Sequence, residues 1–180
     1  MTRLAAAAKD VLGPLGDLYF FRRFKALCAR AEGGLLLVDI DNTIAATHAF
    51  ESASPGRRIR VEALEPVPAV AAWLEREAPG RTIAYLSARN LWTWRRTAQW
   101  LRRHAFPEGE LILVATPERK LGYLRHACPL VPVTLIDDLS YLGPDGALGF
   151  HDDVIRRIRE LDLVYLGHDD IAAIVAGAAG

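Results

Sequence analysis

The sequence predicts a three-layer α/β domain around a parallel sheet of at least five strands. Three observations carry that reading. Short continuous apolar runs recur along the chain, helical patterns fill the gaps between them, and polar residues collect where the runs end. Apolar runs of four or five residues suit strands buried on both faces, as in a parallel sheet covered by helices. Strands that alternate with helices of 10–15 residues point to βαβ units.

The elements follow in order. Residues 1–31 read as an Ala-rich helical segment, broken at Gly13-Pro14 and Gly16, with Phe20, Phe21, Phe24 and Leu27 on one face. Gly33-Gly34 closes it as a C-cap would. The expected division is an N-terminal helical appendage over 1–34 and a main domain over 35–180. Leu35 to Val38 is the first strand, ending at Asp39. Strands are also expected over 82–86, 111–114, 133–136 and 163–166, and helices over about 62–77, 91–104, 117–127 and 152–161. The least regular stretch, about 42–60, reads as a flap inserted after the first strand.

Composition narrows the function. The chain has 180 residues, the size of one domain, and 51% are apolar, enough for a sizeable core. The longest run free of Asp, Glu, Lys and Arg, His126 to Ile136, is too short for a bilayer span. Lys9 and Asp10 interrupt the N-terminal apolar run before a secretion signal could form. No membrane partner is expected. Cys28 and Cys128 share no metal-like spacing and read as reduced thiols, which suits the cytoplasm. The 22 basic and 22 acidic residues balance, so a general affinity for nucleic acid is not favoured. Of the basic residues only Lys9, Lys25 and Lys120 are Lys.

Ligands of open α/β sheets bind beyond the carboxyl ends of the strands. There this chain places Asp39, Asp41 and Thr43 after the first strand, and Ser87 and Arg89 after the second. Thr116 follows the third, with Lys120 one turn into the next helix, and Asp137-Asp138 follow the fourth. Crowded carboxylates repel one another unless a cation offsets them. Oxygen ligands with no His or Cys nearby favour Mg²⁺. A phosphoryl group could then be held by the cation, Ser87 and Lys120, with one aspartate as nucleophile and a second as acid and base.

At these residues the chain resembles the haloacid dehalogenase superfamily of phosphotransferases. The first motif of that family stands as Asp39-Ile40-Asp41-Asn42-Thr43, and the second as Ser87-Ala88-Arg89. The third fits Lys120 and the fourth Asp137-Asp138, all in the family's order over 35–138. Ser87-Ala88-Arg89 with Thr97 and Trp100-Leu101 is further similar to polynucleotide-kinase-type phosphatase domains and small acid phosphatases. The resemblance implies a Rossmann-like fold and an Mg²⁺-dependent phosphate monoester hydrolase working through an aspartyl-phosphate. It makes Asp39 the nucleophile and Asp41 the general acid and base. It puts Thr43, Ser87, Arg89 and Lys120 at the phosphoryl group, with Thr43 bracing the loop. Asp39, Asp41, Asp138 and Asp137 would hold the metal, Asp137 and Asp138 being interchangeable in that role. An acid at 41 favours phosphoryl transfer over dehalogenation. The spacing from Asp41 to Ser87 and from Ser87 to Lys120 leaves no room for a large cap domain. The open cleft then admits a large substrate or closure by a second copy. A small phosphorylated molecule is the expected partner. The alternatives are a 3′-phosphatase acting on nucleic-acid ends, a catalytically idle binding domain, and a receiver-type domain, whose motif order fits less well.

Other residues invite blander readings. His151-Asp152-Asp153 and His168-Asp169-Asp170 each precede a helical pattern and read as helix starts. His48 in the flap reads as a solvated loop histidine. Trp92, Trp94 and Trp100 with their neighbouring arginines read as an amphipathic helix, Trp inward and Arg outward.

Overall fold

The computed structural model describes residues 16, 18–53 and 60–178. The expectation for residues 1–15, and for 54–59 of the flap, lies outside the described residues. Helix α1 covers 18–29 and is followed by β1 (Leu35–Val38). After it come α2 (Thr47–Ala53), α3 (Pro68–Glu77), β2 (Thr82–Ser87), α4 (Trp94–Arg103), β3 (Glu110–Leu113) and α5 (Pro117–Ala127). The chain then forms β4 (Val133–Ile136), β5 (Ser140–Leu142), β6 (Leu148–Phe150), α6 (Asp152–Arg159), β7 (Val164–Leu166) and α7 (His168–Gly177).

Five strands form one parallel sheet in the order β3-β2-β1-β4-β7. Its centre is β1, whose four residues are wholly buried. Each fully buried Leu or Val contributes about 2 kcal/mol from apolar area removed from water. Strand order reverses between β1 and β4, so a crevice opens beyond their carboxyl ends. The ladder runs one residue past the strands there: Asp39 N–H donates to Ile136 O at 2.9 Å, and Asp137 N–H to Leu166 O at 3.0 Å. Acidic residues at 39 and 137 are thereby fixed side by side. The helix α1 packs Phe20, Phe24 and Leu27 into the same core. Among the described residues no helix is long and apolar enough to cross a membrane.

The elements differ from expectation in four places. The stretch read as one helix over 62–77 is a 3₁₀ turn, Val61–Ala63, followed by α3. Pro66 and Pro68 separate the two, because a proline disfavours helical backbone in the residue before it. The flap contains α2 rather than irregular chain alone. The 140–151 stretch forms an antiparallel hairpin, β5–β6. Trp92 lies in a 3₁₀ turn before α4, out of helical phase, and is 69% exposed, whereas Trp100 is buried as expected. Both expected helix starts are observed: α6 carries Asp152 and Asp153 in its first turn, where Asp153 pairs with Arg156, and in α7 Asp170 accepts the Gly167 N–H at 2.9 Å.

Gly33 and Gly34 take φ of +66° and +93°, in the left-handed region that favours glycine. A Cβ on Gly33 would stand 1.8 Å from the Gly80 carbonyl oxygen, so the turn into β1 needs glycine for space as well as for torsion. Gly33→Ala is expected to cost at least about 2 kcal/mol of unfolding free energy in urea titrations. A loss below about 0.5 kcal/mol would show that this turn adapts freely.

Candidate active site

The site is built on the ends of β1, β2 and β4 and on the first turn of α5. Lys120 sits in α5 in the same stripe as Leu124 and Ala127, a position where the core would ordinarily take an apolar side chain. It is 2% exposed. Its Nζ donates to Asp39 Oδ1 at 2.8 Å and to Asp137 Oδ2 at 2.6 Å. Burial works against the ammonium charge, but the Asp137 and Asp39 carboxylates hold its pKa above the ordinary lysine value.

Asp39, Asp137 and Asp138 are all buried, and a carboxylate oxygen from each lies within 4.8 Å of the others. Burial, followed by the charges of Asp39 and Asp138, pushes Asp137 upward against the pull of Lys120. Asp138 is pushed up to about 6, chiefly by burial and then by the Asp39 charge. One lysine therefore does not offset three carboxylates. The donor set is oxygen only, as hard divalent cations prefer.

Asp41 is arranged differently. Arg89 Nε donates to Oδ2 at 2.6 Å and its Nη2 to Oδ1 at 2.7 Å, a bidentate pair. Thr47 of α2 adds its hydroxyl to Oδ1 at 2.6 Å. Burial raises the Asp41 pKa, but the Arg89 hydrogen bonds and charge outweigh it and hold the carboxyl below its ordinary value.

Asn42 and Leu139 directly follow Asp41 and Asp138, and both take positive φ, +57° and +49°. Such backbone is uncommon for Asn and costly for Leu. Each turn is held by local bonds: Asn42 N–H donates to Ala45 O at 2.8 Å, and Leu139 N–H to Asp137 Oδ1 at 3.2 Å.

The residues singled out in the sequence thus meet in one cleft of about 640 Å³, lined by Asp39, Asp41, Ser87, Arg89, Lys120, Asp137 and Asp138. Thr43 lies beneath that wall, wholly buried, where its Oγ1 accepts the Asp138 N–H at 3.3 Å. Arg89 faces Asp41 rather than open space. Ser87 Oγ is buried and, among the described residues, has no hydrogen-bond partner. A polar atom left so costs about 1–3 kcal/mol. Thr47, Asn42 and Ser140 were not singled out in the sequence as site residues. Their only signal there was the rarity of Asn, which occurs at 42 and 90 alone. His48, read as a solvated loop residue, is instead 21% exposed and tied into the cleft wall. Asn90 accepts the Trp92 N–H at 3.0 Å and caps the turn at the cleft rim.

Residues 36–129, just over half of the chain, match the family model of the LNS2 domain of PITM 1-3. The match spans β1 to α5 and includes Asp39, Asp41, Ser87 and Lys120. No curated protein and no solved structure matches the chain.

The Lys120→Met variant keeps the apolar stem and removes the charge. It leaves the Asp39 and Asp137 carboxylates buried without a counter-charge, and is expected to cost about 3–5 kcal/mol of stability in chemical denaturation. A change within about 0.5 kcal/mol would show that Lys120 is not the cluster's counter-charge.

Proposed function

The chain belongs to the LNS2 domain (PITM 1-3) family, within the haloacid dehalogenase-like phosphatase fold, and from that premise we propose that it is a capless Mg²⁺-dependent phosphate monoester hydrolase. The observation that carries the reading is Ser87. Its buried hydroxyl, unpartnered among the described residues, faces a cleft that also holds Lys120 and the carboxylates of Asp39, Asp41, Asp137 and Asp138, and a phosphoryl oxygen is the acceptor that hydroxyl lacks.

The oxygens of Asp39, Asp137 and Asp138 fit a hard divalent cation. Asp39, Asp138 and the main-chain carbonyl of Asp41 would hold it, with Asp137 in support. When bound it supplies charge that offsets the carboxylates and the phosphoryl oxygens. Lys120 holds Oδ1 of Asp39, which leaves Oδ2 to attack phosphorus. The ester P–O bond breaks as the aspartyl-phosphate forms, and Asp41 gives its proton to the leaving oxygen. A water then attacks the phosphorus, Asp41 takes the water's proton, and the Asp39 carboxylate and inorganic phosphate are released. In the first step Arg89 must loosen its hold on Asp41, since a bidentate guanidinium favours the ionised acid. A phosphoryl group entering beside Arg89 is a competing anion for it.

That same pair supports one other reading, a domain that binds a phosphorylated ligand without turning it over. A panel of aryl phosphates, sugar phosphates, nucleotides and 3′-phosphorylated oligonucleotides separates the two. Turnover that is abolished by EDTA, and cut by several orders of magnitude in Asp39→Asn, is expected. No turnover of any substrate, together with binding of the same compounds, would establish the binding domain instead.

Thermal melts with and without Mg²⁺ test the metal reading by its pH dependence. In the absence of cation Asp138 binds its proton more tightly folded than unfolded. Its contribution to stability therefore falls as pH rises from its ordinary value near 3.8 to about 6. Mg²⁺ must displace that proton. The rise in Tm produced by Mg²⁺ is expected to be larger at pH 7.5 than at pH 5. An equal rise at both pH values, or one that persists in Asp138→Asn, would contradict the assignment.

A further inference from the structure

His48 has no part in the chemistry above, yet its ring lies within hydrogen-bond reach of Ser140, Asn42 and Glu51. Its Nε2 lies 2.7 Å from Ser140 Oγ and 2.9 Å from Asn42 Nδ2. Its main-chain N–H donates to Asn42 Oδ1 at 2.6 Å. Its Nδ1 lies 3.3 Å from Glu51 Oε2 on the next turn of α2, which sets the ring plane. Ser140 Oγ in turn donates to Asp138 Oδ2.

This chain of contacts joins two elements that are distant in sequence. The helix α2 precedes β2, whereas Ser140 opens β5 just after the acidic pair. With the Ser140 hydroxyl proton given to Asp138 Oδ2, His48 Nε2 is the donor to Ser140 Oγ, which fixes Ser140 between His48 and Asp138. The neighbouring residue on α2, Thr47, reaches Asp41. Consecutive flap residues therefore hold two different carboxylates of the cleft, one on the β1 loop and one on the β4 loop.

We propose that His48 is a positioning residue, which sets the orientation of the Asp138 carboxylate through Ser140 and so sets the site's affinity for its divalent cation. The proposal rests on the metal reading given above. Outer hydrogen bonds to a ligating carboxylate aim its lone pairs, and their removal typically costs 10–100-fold in metal affinity. Leu139, between the two bonded residues Asp138 and Ser140, holds a left-handed backbone that is costly for Leu.

The test is calorimetric titration of Mg²⁺ into the full chain, with circular dichroism confirming the fold of each variant. Wild type is expected to bind and Asp138→Asn to lose binding. His48→Ala and Ser140→Ala are each expected to weaken Mg²⁺ by about tenfold or more. Because His48 acts through Ser140, the double variant should be no weaker than Ser140→Ala alone. His48→Gln, whose amide can reach the Nε2 position, should recover most of the affinity. A merely structural histidine would lower Tm and leave the Mg²⁺ affinity of folded protein unchanged, and that result overturns the proposal. So does a double variant weakened by the product of the two single effects. If His48→Ala does not fold, Ser140→Ala decides: a tenfold loss there with His48→Gln near wild type supports the relay, and wild-type affinity in Ser140→Ala overturns it. A wild type that binds no Mg²⁺ would overturn both this proposal and the metal reading. Binding that is lost in Asp138→Asn but indifferent to His48 would overturn this one alone.

Discussion

The site depends on the Lys120 ammonium, held between Asp39 and Asp137 at hydrogen-bond distance. Three carboxylates share a small buried volume beside it, and removing a charge from water is costly. Backbone geometry forces the issue, because β1 and β4 are adjacent parallel strands in register and each is followed directly by an acidic residue. Without a cation between them the two ends would repel. The register of α5 supplies one by turning Lys120 inward along its apolar stripe. Arg would carry the same charge, but its planar fork needs more room than a point charge between two oxygens. That is a physical reason for one of only three lysines to stand at this position in an Arg-rich chain.

Around that centre the structure divides its carboxylates by partner. Asp39 and Asp137 share a lysine, Asp138 is bonded to Ser140, and Asp41 is clamped by Arg89 and Thr47. Their protonation behaviour diverges as a result. Burial dominates for Asp137 and Asp138 and pushes them up, whereas a bidentate guanidinium overrides burial at Asp41. Groups with separated affinities for protons are what acid–base chemistry and cation binding each require.

The parallel sheet was legible in the sequence because buried strands are written as continuous apolar runs, which tolerate no alternative on either face. The acidic and hydroxyl residues at the strand ends stood out against those runs for the same reason. The hairpin β5–β6 was not legible: Ser140–Leu142 and Leu148–Phe150 are three-residue strands, too short to show a period. Trp92 misled because helical phase was extended through a 3₁₀ turn. The bonds of Thr47, His48 and Ser140 could not be read at all. They arise where α2 meets the loops that follow β1 and β4, and no local pattern encodes that meeting. Arg89 was legible as a site residue, but its bidentate engagement of Asp41, 48 positions away in sequence, is a product of the fold.

The proposed chemistry requires that Asp39 carry the phosphoryl group. The direct measurement is rapid acid quench of the protein turning over p-nitrophenyl phosphate with Mg²⁺, followed by borohydride reduction and peptide mass spectrometry. An aspartyl-phosphate at position 39 would be recovered as homoserine at that position, and no other acidic residue would be converted. Turnover of the substrate with Asp39 recovered unmodified, under quench conditions that preserve acyl phosphates, would contradict the account.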